Sequence, residues 1–419
     1  MTDSTLRPDF LWGASTAAHQ IEGNNTSSDQ WAMEHLGAPH IKEPSGDACD
    51  SYHRYSTDIR LLAEAGLAAY RFSIEWARIE PAEGLFSRAQ LLHYRDMIET
   101  CHAHGVTPIV TLHHFTFPLW FTQTGGVRRP DAVAKFAAYV ECVSEILQDI
   151  EWVVTINEPN IAALFAMMAE FFNAAPEVRA AQLAAVSGDA APDTATVAMA
   201  QMPAPPLDIA AILIGMHRAS VDVLRARTHA KVGWAPAAQA FLPTPGNEDV
   251  WERVFHQWEG VYYDATTGDD FIGVQSYTSQ PVDANGPVPH PDHPDNTQVG
   301  HAYRPDALGI NLRRLWERYG VPLLVTENGI ATADDTRRIA YTTGALQGLL
   351  DAVADGVEVL GYCHWSLLDN YEWGTYEPTF GLIAVDRTGD FERTPKPSLA
   401  WLGRVAASNG ALIGANSNS

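Results

Sequence analysis

The chain has 419 residues, of which 46% are hydrophobic and 19% charged, and its formal net charge is −24. That apolar content excludes a disordered chain and provides for a large core. The negative balance disfavours nucleic acid, anionic membrane surfaces and acidic substrates as partners.

Short apolar runs recur along the chain: FLWGAS from Phe10, AYRFSIE from Ala69, TPIVTLHH from Thr107, WVVTINE from Trp152, KVGWAPA from Lys231, DFIGVQSY from Asp270, PLLVTEN from Pro322 and VLGYCHWSLL from Val359. Each has the length and β-branched or aromatic content of a buried strand. Between them lie stretches such as YSTDIRLLAEAGL, AQLLHYRDMIETCHAHG, DAVAKFAAYVECVSEILQDI and DALGINLRRLWERYG, whose apolar residues recur at helical spacing. Several of these end in glycine just before the next strand, as helix C-caps do. Eight strands alternating with helices predict one α/β domain over residues 1–419, a parallel (β/α)₈ barrel of the TIM type. An open doubly wound sheet is the alternative. The barrel is favoured because polar residues gather at the C-terminal end of nearly every run, whereas an open sheet concentrates its site at one switch point.

Two stretches interrupt this alternation. Residues 161–209 are rich in Ala, Pro and Met and read as a helix to about Val186 followed by a loop. Residues 281–303 hold five prolines and three histidines and read as a loop; its HPDH, proline-interrupted, fits solvated surface histidines better than a metal site. The N-terminus MTDSTLRPDFLWG lacks a basic segment followed by an apolar one, and no run is long enough to span a bilayer, so a cytoplasmic location is expected. Cys49, Cys101, Cys142 and Cys363 are scattered without CxxC spacing, the pattern of reduced, packed cysteines.

The fourth and seventh runs end on carboxylates, Glu158 in TINEPN and Glu327 in VTENGI. In a parallel barrel all C-terminal strand ends open on one face, so the two can project into one pocket. Singly, each could merely cap a helix or pair with an arginine. Together, two carboxyl groups flanking a pocket can cleave an acetal in two steps, one protonating the leaving oxygen and the other attacking the anomeric carbon. Asn157, Asn328 and the cation Arg71 on the second strand are the polar partners that such buried charge needs.

These segments carry a resemblance. DFLWGASTAAHQIEG, YRFSIEWARIEP, TLHHFTFPLW, TINEPN, VTENGI and GYCHWSLLDNYEWGTYEPTFGL are similar, in that order, to the signatures of glycoside hydrolase family 1, the β-glucosidases and related β-glycosidases. The resemblance implies a retaining, exo-acting β-glycosidase, most nearly a β-glucosidase with some tolerance for β-galactosides or β-fucosides, that needs no metal or cofactor. It implies Glu158 as general acid/base and Glu327 as nucleophile, with Arg71 and Tyr277 holding Glu327 ionised and lowering its pKa. It further implies that Gln20, His114, Asn157 and Glu372 bind sugar hydroxyls and that Trp365 and Trp373 form a platform under the ring. Read from the residues alone, both tryptophans and His114 could equally be core packing.

The chain departs from the family pattern in several places. Phe115 replaces the usual tryptophan after the histidine, Gln275 and Ser276 replace Asn-Tyr before Tyr277, and GTYEPT is unlike the usual segment. A sister group acting on 6-phosphoglycosides uses a serine and a lysine near the C-terminal signature. Here that stretch offers Glu377 and no lysine, so an unphosphorylated substrate is expected. The Met and Phe residues of FAMMAEFF, Met167, Met168, Phe171 and Phe172, suit an adaptable apolar aglycone surface or an ordinary barrel helix. A transglycosylase, a glycosidase of another sugar preference, and a sugar-binding protein without catalysis are the alternative readings.

Overall fold

The computed structural model describes residues 6–36, 41–173 and 204–416. Eight parallel strands form the core of the molecule: β1 (Leu11–Ser15), β2 (Ala69–Ser73), β3 (Thr107–Thr111), β4 (Trp152–Asn157), β5 (Lys231–Ala235), β6 (Phe271–Gln275), β7 (Leu323–Asn328) and β8 (Val359–Trp365). Each pairs with its chain neighbours and β8 returns to β1, so the sheet closes into a barrel and the open-sheet alternative falls away. All eight strands lie within the apolar runs named above.

Strand periodicity divides the residues between two environments. On β2, Tyr70 and Phe72 belong to the large cluster shared with the surrounding helices. Ala69 belongs instead to a second cluster with Ile109, Trp152, Val154, Ala235, Phe271, Leu324, Leu360 and Cys363, contributed by strands all round the barrel. Following the same alternate positions toward the C-terminal ends, apolar side chains give way to Arg71, Thr111 and Gln275, and a shift of register on β7 brings Glu327 level with Gln275. The barrel thus has an apolar plug below and a polar layer above.

The outer helices include Ser51–Glu64, Arg88–Ala103, Ala132–Val143, Leu207–Arg227, Ala307–Tyr319 and Asp335–Ala354, each of which precedes a strand. Helix Ala307–Tyr319 stops at Gly320, whose φ of +61° is the left-handed cap conformation that glycine adopts without strain. Cys49, Cys101 and Cys363 are buried and Cys142 is half-buried, and all four are free thiols. No described helix is long and apolar enough to cross a membrane. No group of three or more His, Cys, Asp or Glu among the described residues could hold a metal ion.

One expectation needs correction, and another is tested only in part. Residues 281–303 are not wholly a loop: Gln280–Asp283 pairs with Gly286–Pro287 around a tight turn and with Phe241–Pro243, giving a three-stranded sheet beside the barrel. The turn is Ala284-Asn285, and Gly286, paired with Asp283 just after it, has a positive φ (116°) that glycine adopts without strain. Pro287 is tolerated because it lies on an edge strand. In the 161–209 stretch, the described helix runs Pro159–Asn173 and the next helix begins at Leu207; residues 174–203 lie outside the described residues.

Candidate active site

Both carboxylate-bearing strands are irregular at their tips. On β7, Val325 is level with Val274 of β6 and Glu327 with Gln275, so β7 spends one residue more than its neighbour. On β4, Val154 is level with Gly233 of β5 and Asn157 with Ala235, again with one extra residue. Such bulges re-aim side chains, and here they do so where a strand of strict alternation would send its functional groups to opposite faces.

Glu327 is 4% exposed and is met by three donors. Arg71 Nη1 donates to Oε1 at 2.6 Å, Gln275 Nε2 to Oε1 at 3.0 Å, and Tyr277 Oη to Oε2 at 2.6 Å. Arg71 is fully buried; its Nε donates to Thr111 Oγ1 at 2.9 Å and its Nη2 to Asn157 Oδ1. Gln275 Nε2 also donates to Asn157 Oδ1, at 2.6 Å. With its oxygen occupied twice, Asn157 turns its amide nitrogen to His114 Nε2, 3.2 Å away. A second set of bonds supports this group. Asn328 Nδ2 donates to the Ser276 carbonyl at 2.6 Å, and Tyr341 Oη donates to the Tyr277 carbonyl at 2.6 Å. Gly329 completes the ENG segment because a β-carbon there would lie 2.0 Å from the Trp365 carbonyl oxygen.

Glu158 is half-buried, adopts a left-handed backbone with φ of +39°, and its carboxyl accepts no hydrogen bond from a described residue. Burial and the neighbouring charge of Glu327 push its pKa well above the usual carboxylate range. For Glu327 the expectation of a lowered pKa is corrected. Burial raises it, and Arg71 and the Tyr277 hydroxyl pull against that rise without reversing it. The two carboxyls differ in their surroundings: Glu327 faces a cation and two further donors, and Glu158 is bonded to none among the described residues.

The remaining expected residues converge beside this pair. His114 lies nearly parallel to Trp365 (centroids 5.8 Å, 20°) and to Trp373 (6.1 Å, 12°), and burial drives its pKa down, which leaves the imidazole neutral. Trp365 Nε1 donates to Glu372 Oε1 at 3.4 Å. Burial pushes Glu372 up to about 8, helped by the charge of Glu327 and opposed by the Trp365 donor. Gln20 is buried, with Nε2 on the Asn370 side chain (3.1 Å) and the Tyr371 carbonyl (2.8 Å), while its Oε1 has no partner among the described residues. All ten expected residues, Gln20, Arg71, His114, Asn157, Glu158, Tyr277, Glu327, Trp365, Glu372 and Trp373, thus belong to one site on the C-terminal face.

Sequence reasoning missed several neighbours. His19 stacks on Trp373 (5.7 Å, 8°) and is held by buried Glu34 at 2.8 Å. Phe165 stacks on Phe115 at 4.7 Å and meets Trp373 edge-on at 5.3 Å. It stands on the helix that begins at Pro159, directly after Glu158, so its place in the chain was the available signal. Met167, like Phe165, packs against the main hydrophobic core, Met168 is half-buried, and the side chains of Phe171 and Phe172 lie outside the described residues. A lysine does stand beside the C-terminal signature: Lys42 Nζ donates to Glu377 Oε2 at 2.5 Å, and the Lys42 amide bonds the Gly374 carbonyl. His293 of HPDH is an exposed residue near Asp295.

The sequence matches the model of "Glycosyl hydrolase family 1" over residues 2–189 and 262–411. The chain belongs to glycosyl hydrolase family 1. Its family-1 relatives include thermostable β-glucosidase B of Thermobispora bispora, 31% identical over 98% of this chain and 93% of that protein. The aryl-phospho-β-D-glucosidase BglC of Bacillus subtilis (strain 168) is 28% identical over 96% of this chain and 98% of that protein. Among solved structures, the β-glycosidase BGL167 superposes with a TM-score of 0.83 at 41% identity, covering 96% of this chain and 97% of that one. This family-1 chain is a glycoside hydrolase of the β-glucosidase/β-glycosidase type.

Proposed function

We propose that the protein is a retaining, exo-acting β-glycosidase that acts on unphosphorylated β-glucosides, and accepts some β-galactosides or β-fucosides, from a single catalytic domain. Glu327 attacks the anomeric carbon as Glu158 gives its proton to the departing oxygen; the C–O bond breaks and a glycosyl ester forms on Glu327. Water then gives a proton back to Glu158 and its oxygen displaces Glu327, restoring both groups. The observation that supports this reading is the asymmetry of the pair: Glu327 is clamped by three donors including a buried cation, and Glu158 has no such clamp among the described residues. Asn157, His114, Gln20 and Glu372 bind the sugar hydroxyls, and Trp365 and Trp373 carry its apolar face. The half-buried Phe165 ring beside Phe115 and Trp373 supports an aryl or similarly apolar leaving group.

The preference for an unphosphorylated sugar rests on Glu377 and on the net charge of −24, both unfavourable to a dianion, with Lys42 already engaged by Glu377. NMR of an aryl β-glucoside hydrolysis tests the mechanism: the β-anomer appears first, and initial release of the α-anomer would exclude retention. A kcat/KM for the 6-phosphoglucoside above that for the free glucoside would refute the substrate class.

A further inference from the structure

Asn160, two residues beyond Glu158, is fully buried and makes three side-chain hydrogen bonds to two pieces of backbone. Its Nδ2 donates to the Ala237 carbonyl at 2.9 Å and to the Trp258 carbonyl at 3.0 Å, and its Oδ1 accepts from the Ala237 amide at 3.0 Å. The Ala237 segment follows β5 and holds Glu158 at a second point, because the Glu158 amide donates to the Ala235 carbonyl at 2.7 Å. Continuing from there, Ala237 bridges to Gln275 and the Ala238 amide donates to the Gln275 carbonyl at 2.8 Å. Gln275 in turn grips Glu327. One strip of backbone, residues 235–238, therefore spans from the support of one carboxyl to the support of the other, and Asn160 fastens the Glu158 end of it.

Glu158 needs such fastening. A left-handed backbone is disfavoured for a residue with a side chain and persists only where the surroundings over-determine it. Pro159 begins the helix and the Glu158 carbonyl takes the first helical bond, from Ala162 at 2.7 Å, so the strand turns into the helix at Glu158 itself. Ala235 holds the residue on the strand side, and Asn160 holds the first helical turn to the same strip.

We propose that Asn160 is a positioning residue for proton transfer: its bonds to Ala237 and Trp258 set where the Glu158 carboxyl stands relative to the leaving oxygen. This rests on the assignment of Glu158 as acid/base. The test compares kcat/KM, which reports the first half-reaction, for 2,4-dinitrophenyl and phenyl β-glucosides. The dinitrophenolate departs without a proton and the phenolate requires one. In Asn160→Ala the phenyl glucoside loses roughly 10- to 100-fold, as misplacement of a proton donor by an ångström or less would produce, and the dinitrophenyl glucoside less than about 3-fold. Glu158→Gln serves as the reference and shows the same selectivity more strongly; absence of selectivity there overturns the acid/base assignment together with this proposal. With that reference in place, equal losses on both substrates in Asn160→Ala, or no loss, overturn the positioning role alone. Asn160→Asp, which keeps the acceptor for the Ala237 amide and turns an oxygen toward two carbonyls, is read in the same way if the alanine variant does not fold. Failure of both to give folded protein reduces Asn160 to a structural clamp and sinks the proposal.

Discussion

The tips of β4 and β7 are built alike and behave differently. Each ends in an Asn/Glu pair, each gains one residue on its neighbour, and each sends a carboxyl to the same face. At β7 the order is Glu-Asn and the carboxyl is sunk among Arg71, Gln275 and Tyr277. At β4 the order is Asn-Glu, so Asn157 takes the buried position beside Arg71 and Glu158 is left beyond it, half-buried and unclamped. One step of register therefore decides which glutamate is paired with the cation and which is left without one. Residue type alone carries no such distinction.

The largest expected effect comes from removing each carboxyl and supplying a substitute nucleophile. Glu327→Ala lowers kcat for all aryl glucosides by a factor on the order of 10⁴ to 10⁶, and added azide attacks from its vacated side to give the α-glucosyl azide. Glu158→Ala mainly slows substrates with poor leaving groups, and azide trapping of its glycosyl ester gives the β-glucosyl azide. The same azide anomer from both variants would erase the distinction between the two tips.

Arg71→Met breaks the pairing and leaves Glu327 buried without its cation. A loss of about 3–5 kcal/mol in unfolding free energy is expected from a one-sided cut of a buried ion pair. With the cation gone, the folded-state pKa of Glu327 rises further above its unfolded value, so the neutral form is tolerated at low pH and the loss grows as pH rises. Chemical denaturation at pH 5 and pH 8 measures both, and a pH-independent loss under about 1 kcal/mol would show that Arg71 does not anchor the β7 tip.

Phe165 lies on the β4 side, so Phe165→Ala should raise KM for aryl glucosides by about 10-fold, the scale of one lost ring contact. Cellobiose should be affected far less, and equal changes for both would place the leaving group elsewhere. The smallest effect concerns Glu372, whose carboxyl titrates near 8. As pH rises through that value it ionises and accepts sugar hydroxyls more strongly. The inhibition constant of free glucose should therefore fall by a factor of roughly 2 to 5 between pH 7 and pH 9. Glu372→Gln should flatten this dependence, and an unchanged profile in that variant would assign it to another group.

Local pattern was sufficient for the eight strands, since a run such as WVVTINE or PLLVTEN is buried on both faces and announces itself by continuous apolar content. It was also sufficient for the two carboxylates, because a charged residue at the end of such a run has no apolar reason to be there. The bridging of Asn157 and Glu327 by Gln275 was not legible. It joins residues 118 and 52 positions apart, and a longer amide in place of the family's usual one reads from sequence only as a substitution. The pairing of Lys42 with Glu377 across 335 positions was missed for the same reason. Phe165 was outweighed by the more conspicuous methionines after it; both Phe165 and Met167 pack against the main core, and only the fold shows that the Phe165 ring also reaches Phe115 and Trp373. Periodicity reports which face of an element is apolar and is a property of a few consecutive residues. Which side chains meet across the barrel mouth depends on closure of the sheet and on the bulges at two strand tips, and those are settled only when all eight strands are in register.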